Sequence, residues 1–210
     1  MMPPQPTLKI NEIFTSVQGE GLRQGEPTIF IRLTGCNLRC IFCDTPYARE
    51  EGLDMTVPEI LDAVERVRKD MPAGWVCLTG GEPLLQECRG LVFSLKSKGF
   101  HIQVETNGTL FQELPFDWWS VSPKPPEYSC RKEIKNRARE VKLIVTREVT
   151  ENTLTALRRE FSAHIPLLLQ PESNLTEFQK KALDLLRFGS RSGLPNLKIS
   201  LQLHKILNIP

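Results

Sequence analysis

The chain has 210 residues, a length that suits one domain with enough core to stand alone. Its 40% hydrophobic and 25% charged content is ordinary for a soluble globular protein, and a formal net charge of +2 argues neither for nor against an acidic partner. No apolar run approaches the roughly 20 residues of a membrane helix, and no basic segment leads into an apolar signal core, so the cytoplasm is the expected compartment.

Residues 1–6, Met-Met-Pro-Pro-Gln-Pro, read as an extended arm. Apolar β-prone stretches follow at residues 28–33, 75–79, 101–106, 118–122, 141–145 and 166–170, with a last candidate strand at 197–203. Val57, Ile60, Leu61, Val64 and Val67 recur at helical spacing behind Thr56 and Glu59, which match a capping box. Leu84, Leu85, Cys88, Leu91, Val92 and Leu95 form a second apolar stripe. Leu154, Leu157 and Phe161 mark a third helix, and Phe178, Ala182, Leu185 and Leu186 a fourth behind Asn174. Strands alternating with helices predict βα units and a parallel sheet. No repeat or low-complexity linker divides the chain, so a single domain over residues 1–210 is expected.

Gly and polar residues collect just after the strands, as at the C-terminal rim of a β/α barrel, where such enzymes keep their active sites. The first strand runs into Thr34-Gly35-Cys36 and the second into Gly80-Gly81-Glu82-Pro83; later ends carry Asn107-Gly108, Pro123-Lys124 and Pro171. About six main parallel strands are too few for a full eight-fold barrel, so the fold class is α/β with a partial (β/α) barrel. Residues 108–117 are too short for a good crossover helix.

Three of six cysteines crowd into eight residues, in the run Cys36-Asn-Leu-Arg-Cys40-Ile-Phe-Cys43. Clustered thiols in a reducing compartment bind metal more often than they oxidise. Three thiolates on one loop can each take one iron of a cubane cluster, and with no fourth cysteine nearby one iron stays open, as catalytic sites require. The alternative is a structural zinc site completed by a distant His or Cys.

At these residues, with Phe42 before the last cysteine, the chain resembles the radical S-adenosylmethionine (SAM) superfamily. The resemblance implies a [4Fe–4S] cluster on Cys36, Cys40 and Cys43 whose open iron takes the amino and carboxylate groups of SAM. It also implies SAM contacts from Phe42 and Asp44, from Gly81 and Glu82 for the amino group, and from Ser122, Pro123, Lys124, Gln170 and Pro171. Glycines let backbone approach a ligand closely, while a carboxylate can meet an ammonium.

Gln18-Gly19-Glu20-Gly21 before the first strand, Arg32 within it, Asp44-Thr45 after the last cluster cysteine and the ending His204-Lys-Ile-Leu-Asn-Ile-Pro210 narrow the resemblance. Together they are similar to the 7-carboxy-7-deazaguanine synthase family. That family converts 6-carboxy-5,6,7,8-tetrahydropterin to 7-carboxy-7-deazaguanine with loss of ammonia, on the route to queuosine. The resemblance implies a SAM-derived radical that takes hydrogen from C6 of the pterin, with SAM regenerated. It further implies Mg²⁺ at Thr45, a homodimer, and substrate contacts from Val17, Gln18, Gly19, Glu20, Arg32, Thr79, His204 and the Pro210 carboxylate. Arg32 is the one charge in its apolar strand, so an anion should face it, either a structural carboxylate or a ligand. A small radical SAM activase of a glycyl radical enzyme shares the cysteine motif but does not call for Gln18–Gly21 or the chain's ending.

Cys77, Cys88, His101 and His164 read as packing or surface residues, and Cys130 as a loop thiol. The basic run Arg131, Lys132, Lys135, Arg137, Arg139 and Lys142 is interrupted by glutamates and reads as solvated surface. Its alternative is a dock for an acidic flavodoxin- or ferredoxin-type reductant. No aromatic-basic interleaving favours nucleic acid.

Overall fold

The computed structural model describes residues 6–45 and 52–210, so the expected N-terminal arm lies, except for Pro6, outside the described residues. Among these residues nine strands form one open sheet: β1 (Thr7–Val17), β2 (Pro27–Leu33), β3 (Leu53–Thr56), β4 (Trp75–Gly80), β5 (His101–Thr106), β6 (Trp118–Val121), β7 (Glu140–Val145), β8 (Leu167–Pro171) and β9 (Leu197–Ile199). Their order is β3-β1-β2-β4-β5-β6-β7-β8-β9. From β2 to β9 every neighbouring pair is parallel. The first strand joins β2 and β3 antiparallel. The six expected strands are therefore the middle of a partial barrel extended at both edges.

The helices are α1 (Val57–Val67), α2 (Arg89–Ser97), α3 (Lys132–Lys135), α4 (Glu151–Glu160), α5 (Thr176–Arg191) and α6 (Leu203–Leu207). The capping box at Thr56 and Glu59 forms as expected, with the Thr56 backbone N–H donating to Glu59 Oε2 at 2.7 Å. No helix of the described residues is long and apolar enough to cross a membrane. Between β5 and β6 the expected absence of a crossover helix holds among the described residues. Phe111 and Phe116 from that loop instead pack on Trp119, with centroids 6.1 and 5.0 Å away.

Four expectations need correction. The first strand was missing from the pattern because a bulge between Ile10 and Glu12 shifts its register, so Leu8 and Ile10 fall out of phase with Ile13. The stripe from Leu84 is two elements. Pro83–Leu85 is a 3₁₀ turn and α2 starts only at Arg89, because Gln86 is extended. The Gln86 side chain clips that break to Lys9 and Thr34. The strand expected over 197–203 ends at Ile199, and Leu203–Leu207 is helical. Asn174 does not cap the fourth helix; it holds Gln202 through its side-chain amide and carbonyl.

The sheet separates its two faces by chemistry. Ile29, Ile31, Val76, Leu78, Ile102, Val104, Leu143 and Leu169 share one apolar core with helical residues such as Ile60, Leu91, Leu95 and Leu154. Alternate positions on the same strands, Thr28, Cys77, Gln103, Ser120, Glu140, Lys142 and Gln170, are buried but mostly polar. A parallel strand covered by helices on both faces is apolar throughout. Here the second face lines the inside of the barrel.

Leu78 is fully buried in the central strand β4. Leu78→Ala should lower unfolding free energy by about 2–5 kcal/mol in a denaturant titration. A loss below about 1 kcal/mol would contradict the placement of the core.

Candidate active site

A cavity of about 470 Å³ opens where the parallel strands end. This size suits a small-molecule site. Cys36, Cys40, Phe42, Cys43, Asp44 and Thr45 line one side of it from the loop after β2. That loop is fixed from behind. Asn107 donates to Asn37 Oδ1 at 3.0 Å, and Asn37 donates to Thr109 Oγ1 at 2.8 Å. The Leu38 N–H reaches Cys36 Sγ at 3.4 Å. Burial pushes the Cys36 thiol up, against that hydrogen bond, and nearby Glu82, Cys40 and Cys43 add to the rise. Among the described residues no three His, Cys, Asp or Glu side chains converge on a single ion. A cubane makes a different demand, one thiolate to each of three irons, and three neighbouring thiols on one wall fit it.

The glycines after β4 set how closely this loop approaches. Glu82 N–H donates to Gly35 O at 2.8 Å and Gly81 N–H to Leu33 O at 3.1 Å. A Cβ on Gly81 would sit 1.9 Å from Gly35 O, so only glycine permits the contact. Gly81 lines the cavity, whereas Glu82 does not. The Glu82 side chain is fully buried beneath the loop. Its carboxylate accepts from Leu84 N–H at 3.1 Å, Thr106 Oγ1 at 2.8 Å and Asn107 N–H at 2.7 Å. Burial pushes its pKa up to about 7 although those three donors oppose the rise. Glu82, expected beside a ligand ammonium, here braces Asn107.

The opposite wall is built on Gln18–Gly21. Each residue of that motif has a tertiary partner. Gln18 is buried away from the cavity and donates to Glu105 Oε1 at 3.1 Å. Gly19 leaves room for the His204 ring, whose Nδ1 would lie 2.1 Å from a Cβ there. Glu20 pairs with Lys142 and accepts from Gln202 Nε2 at 2.8 Å. Gly21 has φ 74° and lies against the Glu140 carboxylate, which a Cβ would meet at 2.3 Å. The Glu20 carboxyl is held well below its ordinary range, because Lys142 and the hydrogen bonds outweigh the opposing effect of burial.

Val17, Gly19, Glu20, Thr79, His204 and Pro210 all line this cavity, as do Ser122, Lys124, Gln170 and Pro171. Pro123 is buried and does not. Lys124 donates to Ser122 Oγ at 2.7 Å and lies 5.8 Å from the Phe42 ring centre. Burial, and then repulsion from Lys142, lowers its pKa. Arg32 Nε donates to Glu12 Oε1 at 2.6 Å, and both side chains line the cavity. Thr45 Oγ1 donates to Asp44 Oδ1 at 3.1 Å. Ser16 Oγ donates to Pro210 O at 2.8 Å, drawing the last residues onto β1.

This geometry has counterparts among known proteins. A family model described as the Radical SAM superfamily matches residues 30–185. The 7-carboxy-7-deazaguanine synthase of Rhodospirillum rubrum is 32% identical over 227 residues, covering 97% of this chain and 93% of that protein. The chain belongs to this family of radical SAM proteins. The synthase of the same name from Methanospirillum hungatei is 53% identical over 113 residues, 52% of this chain and 47% of its own. The crystal structure of QueE from Escherichia coli matches with a TM-score of 0.77 at 28% identity, covering 94% of this chain and 95% of that one. Membership implies a [4Fe–4S] cluster and SAM as cofactors.

Within this radical SAM fold the structure adds Lys142, Glu105, Gln202 and Asn107 to the cavity wall. Lys142 corrects the solvated reading of the basic run, being 3% exposed and paired inside the barrel. The signal was present: Lys142 is the one charge within residues 141–145, as Arg32 is in its strand. Arg131, Lys135 and Arg137 of the same run each face a glutamate. Cys77 and Cys88 are buried, and burial pushes the Cys130 thiol up to about 12. His101 packs on Trp75, and His164 bonds Ser162.

Two outcomes test these contacts. Gly81→Ala should lower iron bound after anaerobic reconstitution by more than half; full iron content would show that the loop does not depend on the close approach. Glu82 has a raised folded pKa, so the native state holds a proton that the unfolded state has released between pH 4.5 and about 7. Stability from this group therefore falls as pH rises through that window, by about 3 kcal/mol. In the apo protein the advantage of wild type over Glu82→Gln should narrow by that amount from pH 4.5 to 8, and a constant gap would return Glu82 to the ordinary range.

Proposed function

We propose that the protein is a carbon–nitrogen lyase that converts 6-carboxy-5,6,7,8-tetrahydropterin to 7-carboxy-7-deazaguanine with release of ammonia, a step toward queuosine and related deazapurines. One observation carries this reading. The cysteine loop, the Gln18–Gly21 loop and the segment from His204 to Pro210 meet around one cavity, in a chain that matches a synthase of that name over 97% of its length.

Cys36, Cys40 and Cys43 would hold three irons of the cluster, with Phe42, Asp44, Gly81, Ser122, Lys124, Gln170 and Pro171 around SAM. When bound, the two cofactors supply a carbon-centred radical that takes a hydrogen atom from the substrate. The protein's part is to aim that chemistry and exclude water. Asn37 and Asn107 keep the cysteine loop in place, and Glu82 keeps Asn107 in place. Arg32, steadied by Glu12, faces the substrate carboxylate. Val17, Gly19, Glu20, Thr79, His204 and Pro210 surround the heterocycle, and Gln18 acts through Glu105. Thr45 would contribute a hydroxyl to Mg²⁺. One neutral oxygen is a weak site, so the substrate would have to supply further ligands to the ion. A flavodoxin- or ferredoxin-type donor provides the electron, and the single-domain chain works as a homodimer.

Anaerobically reconstituted protein given the carboxypterin, SAM, Mg²⁺ and a reductant should form the deazaguanine, detected by liquid chromatography. SAM cleavage without that product would remove the assignment. Cys36→Ala, Cys40→Ala and Cys43→Ala should each abolish SAM cleavage. Turnover should fall several-fold with a chelator and recover with Mg²⁺; indifference to the ion would remove its role at Thr45.

A further inference from the structure

The inner face of β7 carries a lysine where its outer face carries Val141, Leu143 and Val145. Lys142 Nζ donates to Glu20 from the loop after β1 and, at 2.8 Å, to Glu105 on β5. One ammonium against two carboxylates leaves this triad with a net negative charge. Replacing buried ion groups by apolar side chains is often neutral or stabilising. Stability of the fold therefore does not account for a charged triad on a strand whose other face is apolar.

The triad is built to accept hydrogen bonds. An ionised carboxylate offers about four lone-pair sites. Glu20 engages two donors, Lys142 and Gln202. Glu105 engages three: Lys142, Gln18 at 3.1 Å and Gln103 at 3.1 Å. Both carboxylates line the cavity, so acceptor capacity remains on its wall. A ligand edge that brings N–H groups suits the remaining lone pairs of these two carboxylates.

We propose that Lys142 is a positioning residue that sets ligand specificity. By clamping Glu20 and Glu105 as neighbouring anionic acceptors, it makes the wall select a heterocycle edge with several N–H donors, such as an aminopyrimidinone, over one with a carbonyl in place of the amino group. This inference rests on the pterin reading above and concerns what holds the Glu20 contact of that reading in place.

The test is a fluorescence titration of reconstituted, SAM-loaded protein with pterin-6-carboxylate and with lumazine-6-carboxylate, which carries oxygen where the pterin has its 2-amino group. Wild type should prefer the pterin by on the order of 10- to 100-fold, the scale of one or two charge-assisted hydrogen bonds. Lys142→Met should weaken pterin binding and bring the ratio close to one. The double variant Glu20→Gln/Lys142→Met removes one charge of each sign, which guards against misfolding by two unopposed carboxylates, and should give the same result. A lysine with a merely structural role would weaken both ligands alike, so an unchanged ratio in either variant overturns the proposal. Wild type that binds neither compound would instead overturn the pterin reading, and this inference with it.

Discussion

A β-strand has two faces, and in this sheet they meet opposite demands. The helices require an apolar surface, supplied by Ile31, Leu78, Val104 and Leu143. The barrel interior then receives every alternate side chain, including Arg32, Thr79, Glu105 and Lys142. Because the period is two, the strands cannot be anchored by one set of residues without displaying the other toward the cavity. The location of the site and the hydrophobic core are consequences of the same register.

On that scaffold the cysteine loop hangs from the ends of three strands. Gly35 and Gly81 bring β2 and β4 into backbone contact, and Asn107 after β5 reaches Asn37. Neighbouring thiols do not attract one another when they deprotonate, so the loop must be held by bonds that do not involve sulfur. The clasp through Asn37, with Glu82 buried beneath Asn107, provides them. Membership of the radical SAM superfamily and a cysteine loop clasped through Asn37 and Asn107 are thus compatible parts of one design.

The far wall depends on the last residues of the chain. Leu203 N–H donates to Gly19 O at 2.8 Å, Gln202 spans Glu20 and Asp44, and His204 fills the space that Gly19 leaves. Gln18, Gly19, Glu20 and Gly21 are accordingly a docking surface for the C-terminal segment and for β5 and β7, as well as a border of the cavity. A short motif can serve both purposes because its backbone turns sharply and its side chains point in different directions.

Local chemistry was legible in the residues themselves. The capping box at Thr56 and the alternation of strand and helix are short-range patterns with the local form expected of them, and the three cysteines and Gly81 fall on loops where the strands end. What lies far apart in the chain was decided only by tertiary structure. Lys142 looked like surface in a basic run until β7 placed it between Glu20 and Glu105. Only the fold shows that Glu82 accepts hydrogen bonds from Thr106 and Asn107. The bulge in β1 hid a strand, along with the Glu12 that meets Arg32. Sequence reports which charges and turns a segment carries, whereas the partner of a charge depends on which strands become neighbours, and that is settled by the packing of the whole sheet.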